Sequence, residues 1–222
     1  MLRRFDRRAA GALALLSLLT ACSYQVGYRP DYVPPERPPY IAHGKILIVL
    51  PKDESQFVYK GGPASSVGDY TTLTIPIGQI LRDISDKIFT ACFADGVEFA
   101  NDRSAGKDYV VALQPNLKSF LYRYAQVIDT GFSRENPDRW IVPEVEVTLN
   151  VSAYDSRGEL LLRHRYESGV VAGKEYRTTT RPADRINQTL HATLSRLMVQ
   201  VADDLRPLLI GHCKVEDIAP PS

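Results

Sequence analysis

The residues of this sequence best suited to chemistry are three cysteines (Cys22, Cys92 and Cys213), four histidines and one close pair of carboxylates, Glu144 and Glu146. Metal binding or nucleophilic catalysis needs such groups to converge. His43, His164, His191 and His212 are instead scattered, with no cysteine or aspartate at ligand spacing. They read as structural histidines. Gly61-Gly62 has no helix immediately behind it and no following Lys-Ser or Lys-Thr, so it reads as a turn and not a phosphate cradle. There is no Gly-x-Ser-x-Gly elbow. Glu144 and Glu146 fall on one face of an alternating segment, where a solvated strand face is the simpler reading than acid–base work. The sequence therefore predicts no enzyme, no metal site and no cofactor.

Cys22 is different because of what precedes it. Four arginines (Arg3, Arg4, Arg7, Arg8) and Asp6 lead into an uncharged, largely apolar run from Ala9 to Thr20. At about 1.5 Å per residue that helix would span roughly 18 Å, short of a bilayer core of about 30 Å. A basic head, a short apolar run and small residues at its end make a secretory signal. Leu19-Thr20-Ala21-Cys22 resembles the lipobox of bacterial lipoproteins. That resemblance implies that the Cys22 thiol takes a diacylglyceryl group, the chain is cut before it, and the new amine is acylated. Several fatty chains such as palmitate, at about 0.8 kcal/mol per buried methylene, make a permanent anchor. By the same resemblance Ser23, where an inner-membrane protein has aspartate, points to the outer membrane and its periplasmic face.

Residues 1–21 carry a charge of +3 against +1 for the whole chain, so the remainder is near −2. That argues against nucleic acid, which needs a basic excess. The membrane is reached through the N-terminal lipid. Cys92 and Cys213 are a candidate disulfide in an oxidising compartment, or two separate thiols. Sequence does not supply the Cα separation of about 6 Å that a bridge needs.

Around these groups the elements read in order. Ser23 to His43 is a Pro-rich tether, extended and solvated; Tyr24, Tyr28, Tyr32 and Tyr40 leave a partly docked tether open. Lys45 to Leu50 is a buried strand and Asp53 to Thr72 a long irregular connection. Ile77, Ile80, Leu81, Ile84 and Ile88 form one stripe on a helix from Ile77 to Phe93. Val97 to Ala100 is a short strand. Tyr109 to Leu113 is another, resuming after a break at Pro115 from Leu117 to Val127. Asp129 to Pro143 is a loop. Val145, Val147, Leu149, Val151 and Ala153 alternate with polar residues, as in a strand with one wet face. Asp155-Ser-Arg-Gly158 turns it into a hairpin with Glu159 to Ser168. A second helix runs from Ala183 to Leu205, closed by Pro207.

The order predicts an α+β fold: a two-layer sandwich of a mostly antiparallel sheet with two amphipathic helices on one face. The expected organisation is signal peptide 1–21, lipidated cysteine and tether 22–43, one domain 44–213 and a flexible tail 214–222. The layout resembles the YajG-type outer-membrane lipoproteins, with the stretch Arg185 to Asp204 similar to that family's last helix, and it is also similar to the LptE-like lipoproteins. The resemblance implies a lipid-anchored protein of the outer membrane. The favoured function is a non-enzymatic accessory or adaptor subunit with an envelope protein partner. The alternative is a ligand-binding lipoprotein for lipid, lipopolysaccharide or peptidoglycan fragments. The candidate partner surface is Phe132, Arg139 and Trp140, since aromatic residues with arginine mark interface centres. Trp140 as a cap on the core is the competing reading.

Overall fold

The computed structural model describes residues 22–33, 40–67, 71–128, 139–177 and 182–218. The expected signal peptide and most of the loop after residue 128 lie outside the described residues.

The sheet is built on a long ribbon. β7 (Tyr109–Ile128) and β8 (Arg139–Asp155) pair antiparallel from Val111↔Asp155 to Ile128↔Arg139. At about 3.4 Å per residue the ribbon is roughly 60 Å long. The expected break at Pro115 does not occur. Pro115 sits in the ladder opposite Val151, and the irregularity falls between Leu117 and Ser119, where Lys118 is the extra residue of a bulge. β3 (Lys45–Val49) lies parallel to β7 only as far as Leu113. Past that point β7 is an edge, where a missing N–H is tolerated.

β6 (Val97–Ala100) pairs parallel with β3, and β9 (Leu160–Ala172) pairs antiparallel with the other side of β8. β10 (Tyr176–Arg177) continues along that side. The expected alternation holds: Val145, Val147, Leu149, Val151 and Ala153 are each 1% exposed or less. Over this inner face lie α2 (Ile77–Cys92) and α3 (Pro182–Leu209), which bury Ile80, Ile84 and Ile88, and Ile186, Leu190, Leu194 and Leu197. Each such side chain contributes about 1.5–3 kcal/mol of burial. The fold is thus the expected two-layer α+β sandwich. Pro207 does not close α3. It falls in the last turn, and buried Leu205 and Leu209 carry the stripe across it.

Residues 53–72 are not an irregular connection. They hold the one-turn α1 (Lys52–Ser55), β4 (Tyr59–Gly61) and the start of β5 (Thr71–Ile75). β5 buries Thr71, Leu73 and Ile75 in strict alternation. The described part of the tail is not free either: β11 (Val215–Asp217) pairs antiparallel with β2 (Tyr40–Ala42), and Tyr40 donates its hydroxyl to Ala202 O at 2.8 Å.

Candidate functional site

The chain that follows the candidate lipid site is docked on the body. β1 (Cys22–Gln25) runs parallel to β5, with Cys22 opposite Thr71. The Thr71 side chain lies beside the phenols of Tyr122 and Tyr124 on β7. Burial pushes the Tyr122 phenol up to about 12 and raises that of Tyr124 as well. Tyr122 donates to Gly61 O at 2.9 Å.

From β1 the chain descends along α3. Asn187 Nδ2 donates to Gly27 O at 2.8 Å, and the Arg29 N–H donates to His191 Nε2 at 3.0 Å. Tyr28 stacks on the imidazole and Tyr32 meets it edge-on, at centroid distances of 5.6 and 5.9 Å. Because an amide N–H only donates, Nε2 must accept, so Nδ1 carries the proton and gives it to Asn187 O at 2.8 Å. Burial lowers the pKa of this fully buried ring, which fits its neutral form. From α2, Lys87 reaches Pro30 O and Val33 O. The described part of the expected tether, Cys22 to Val33, is therefore a clamped segment.

The outer face of the sheet has a different character. At its lower end Leu47, Val49 and Ala112 form a small apolar cluster with Ala100 and Tyr109, and the turn Arg103–Ala105 leads to Gly106 beside it. Gly106 comes so near that a Cβ there would stand 2.4 Å from Leu47 Cδ2. Arg103 then lies over the Tyr154 ring at 3.9 Å. Above this cluster, registered rows cross β7, β8 and β9: Gln114–Ser152–Arg163, then Asn116–Asn150–Arg165. They line a groove of about 610 Å³. Asn116 Oδ1 has no hydrogen-bond partner there. Further up, Leu121 and Val170 flank Glu146, each 49% exposed, beside the Arg123–Glu144 ion pair. Among the described residues nothing covers this upper part.

The sequence-predicted residues are placed as follows. Trp140 stands on β8, opposite Val127 of β7 and Arg177 of β10, and is half-buried. It is not in a loop, because the ladder continues past Pro143, which pairs with Tyr124. Arg139 precedes it on β8, whereas Phe132 lies outside the described residues. Cys92 and Cys213 are free thiols, so the candidate bridge is not formed. Each thiol donates within its own segment, Cys92 to Ile88 O at 3.1 Å and Cys213 to Leu209 O at 3.9 Å. Glu144 is held by Arg123 and not by Glu146. Among the described residues no three of His, Cys, Asp and Glu group as metal ligands, and no helix is long and apolar enough to cross a membrane.

The sequence reading missed the His191 dock and the groove. A signal for the first existed: Tyr24, Tyr28 and Tyr32 recur every four residues, and His191 adjoins the apolar stripe of α3.

No family model matches the chain, and no curated protein is significantly similar to it. It does share its fold with a solved structure, that of a Xanthomonas campestris protein described by the family name DUF330. The TM-score is 0.50 at 14% identity, over 83% of this chain and 97% of that one. Two looser likenesses are a putative neuraminyllactose-binding hemagglutinin homolog from Helicobacter pylori (TM-score 0.40, 11% identity, 83% of this chain and 96% of that one) and a minor lipoprotein from Acinetobacter baumannii (TM-score 0.35, 14% identity, 80% and 96%). The class the fold defines is thus a two-layer α+β sandwich of the kind seen in the Xanthomonas protein.

Proposed function

We propose that the protein is an outer-membrane lipoprotein, held at Cys22 with its body in the periplasm, that acts as a non-enzymatic accessory or adaptor subunit of a cell-envelope assembly. The leader and the Leu-Thr-Ala-Cys run support the anchor, as does a sequence layout that resembles the YajG-type and LptE-like lipoproteins. The observation that carries the adaptor reading is the upper outer face, where Leu121 and Val170 stand half-exposed among charged residues on a rigid ladder. Apolar residues rimmed by charge on a sheet face suit a protein partner.

The test is purification from gently solubilised membranes, comparing the wild type with a Leu121→Lys, Val170→Lys double variant, whose new charges flank Glu146. A stoichiometric protein that co-purifies with the wild type and is lost from the variant supports the reading. Equal recovery of the partner by both contradicts it.

A second reading, capture of a polar ligand such as a glycan fragment, is favoured by the groove and its polar lining of Gln114, Asn150, Arg163 and Arg165. Co-purifying glycan or lipopolysaccharide in place of a protein would select it.

A further inference from the structure

We infer that the end of the molecule bearing Cys22 and Trp140 lies against the bilayer, in the headgroup layer of the leaflet that holds the acyl chains. This rests on the reading of Cys22 as the acylated residue.

Three registers bring the same end together. Cys22 pairs with Thr71, which lies beside Tyr122 and Tyr124. The β7–β8 ribbon runs on from Tyr124↔Pro143 to Ile128↔Arg139 at that end. The first turns of α3 reach it too. Gly173 donates its N–H to Pro143 O, and a Cβ on Gly173 would stand 2.0 Å from Thr189 Oγ1. The other end of α3, with Ile210 just beyond it, points the opposite way.

Because β1 begins at Cys22 itself, no spacer separates the acyl chains from the body. β7 continues four residues past Tyr124, or about 14 Å beyond the level of the anchor. The headgroup layer of one leaflet is only about 5–8 Å thick. A ribbon that overshoots its own anchor by more than that layer meets the membrane, and the body tilts so that the end of the ribbon rests among the headgroups.

The chemistry of that end suits the interface. Trp140, Ile141 and Val142 sit on it, each partly exposed, and tryptophan concentrates at headgroup level, where one end of the ring is apolar and the other wet. Deeper insertion is opposed. Lys174 and Glu175 are exposed at this end, and charged side chains are costly in hydrocarbon. In this pose the groove at Gln114, Asn150 and Arg163 lies on the periplasmic side, some ten residues, or roughly 35 Å, back along the ribbon.

Trp140 is the only tryptophan in the chain and therefore a built-in probe. The test takes full-chain protein, matured and acylated in cells, into vesicles of phosphatidylethanolamine and phosphatidylglycerol, with and without brominated acyl chains. Trp140 is expected to lose more than half of its emission to the brominated lipid. A Trp140→Phe, Ile210→Trp variant moves the probe to the far end, where the side chain is 70% exposed, and is expected to keep its emission. If the N-terminal peptide carries acyl mass and the protein floats with the vesicles, unquenched Trp140 overturns this orientation while leaving the anchor standing. Equal quenching at both positions overturns it as well. An N-terminal peptide without acyl mass overturns both.

Discussion

The backbone N–H of Arg29 donates to Nε2 of His191 at 3.0 Å, joining positions 162 residues apart and tying the segment below the lipid site to the longest helix. The bond requires a neutral imidazole, because a proton on Nε2 would face the Arg29 N–H. Burial lowers the pKa of His191, with the Asn187 carbonyl and Asp31 opposing that shift. A depressed histidine pKa stabilises the fold fully above the unfolded value of about 6.5, and that stability is lost as the pH falls from there toward the native value. Thermal melting between about pH 7.5 and about pH 5 should therefore fall more steeply for the wild type than for His191→Gln, which keeps an acceptor and does not titrate. The carboxyls raised by burial, Glu54, Asp83 and Asp203, act in the opposite direction but are common to both proteins. Parallel pH profiles would contradict this role for the ring.

The two faces of the sheet should respond oppositely to substitution. Leu194 of α3 is fully buried against the inner face, so Leu194→Ala should cost about 2–5 kcal/mol and lower the melting temperature by roughly 5–15 °C. Leu121→Lys on the outer face, opposite Glu146, should change stability by no more than about 0.5 kcal/mol. Calorimetry on the two variants decides it, and a large loss at Leu121 would mean that the outer face is covered.

Alkylation should find both cysteines after 22 as thiols. Burial pushes Cys92 up to about 12 and raises Cys213, so neither is a ready thiolate at neutral pH. Cys92, at 0% exposed, should react only in denaturant, whereas the partly exposed Cys213 should react slowly in the native protein. A Cys92–Cys213 peptide in a non-reducing map would overturn this pairing state.

The periodic parts of the fold were legible because burial repeats along them. Ile77 to Ile88 and Val145 to Ala153 could be assigned with their faces. The errors share a cause: partners distant in sequence. Pro115 breaks a strand on propensity, yet it stands at an edge that only the end of β3 creates. Thr71 to Ile75 alternates for just five residues, and its neighbour β1 comes from the chain's start. The prolines around Tyr28 and Tyr32 argue for a solvated tether, and only the fold brings His191 beneath them. Of the candidate site, Cys22 was read from its local motif. The groove was not, because its rows draw on three strands aligned by a bulge.

The central claim is that Cys22 is the anchor, and the mass of the N-terminal peptide from membrane-extracted protein tests it most directly. The account predicts a chain that begins at Cys22 and carries fatty acyl groups, and predicts that Cys22→Ala leaves an uncut, unacylated precursor. A mature wild-type chain that begins elsewhere without acyl mass, or a Cys22→Ala protein that matures and stays on the membrane in high salt, would contradict it.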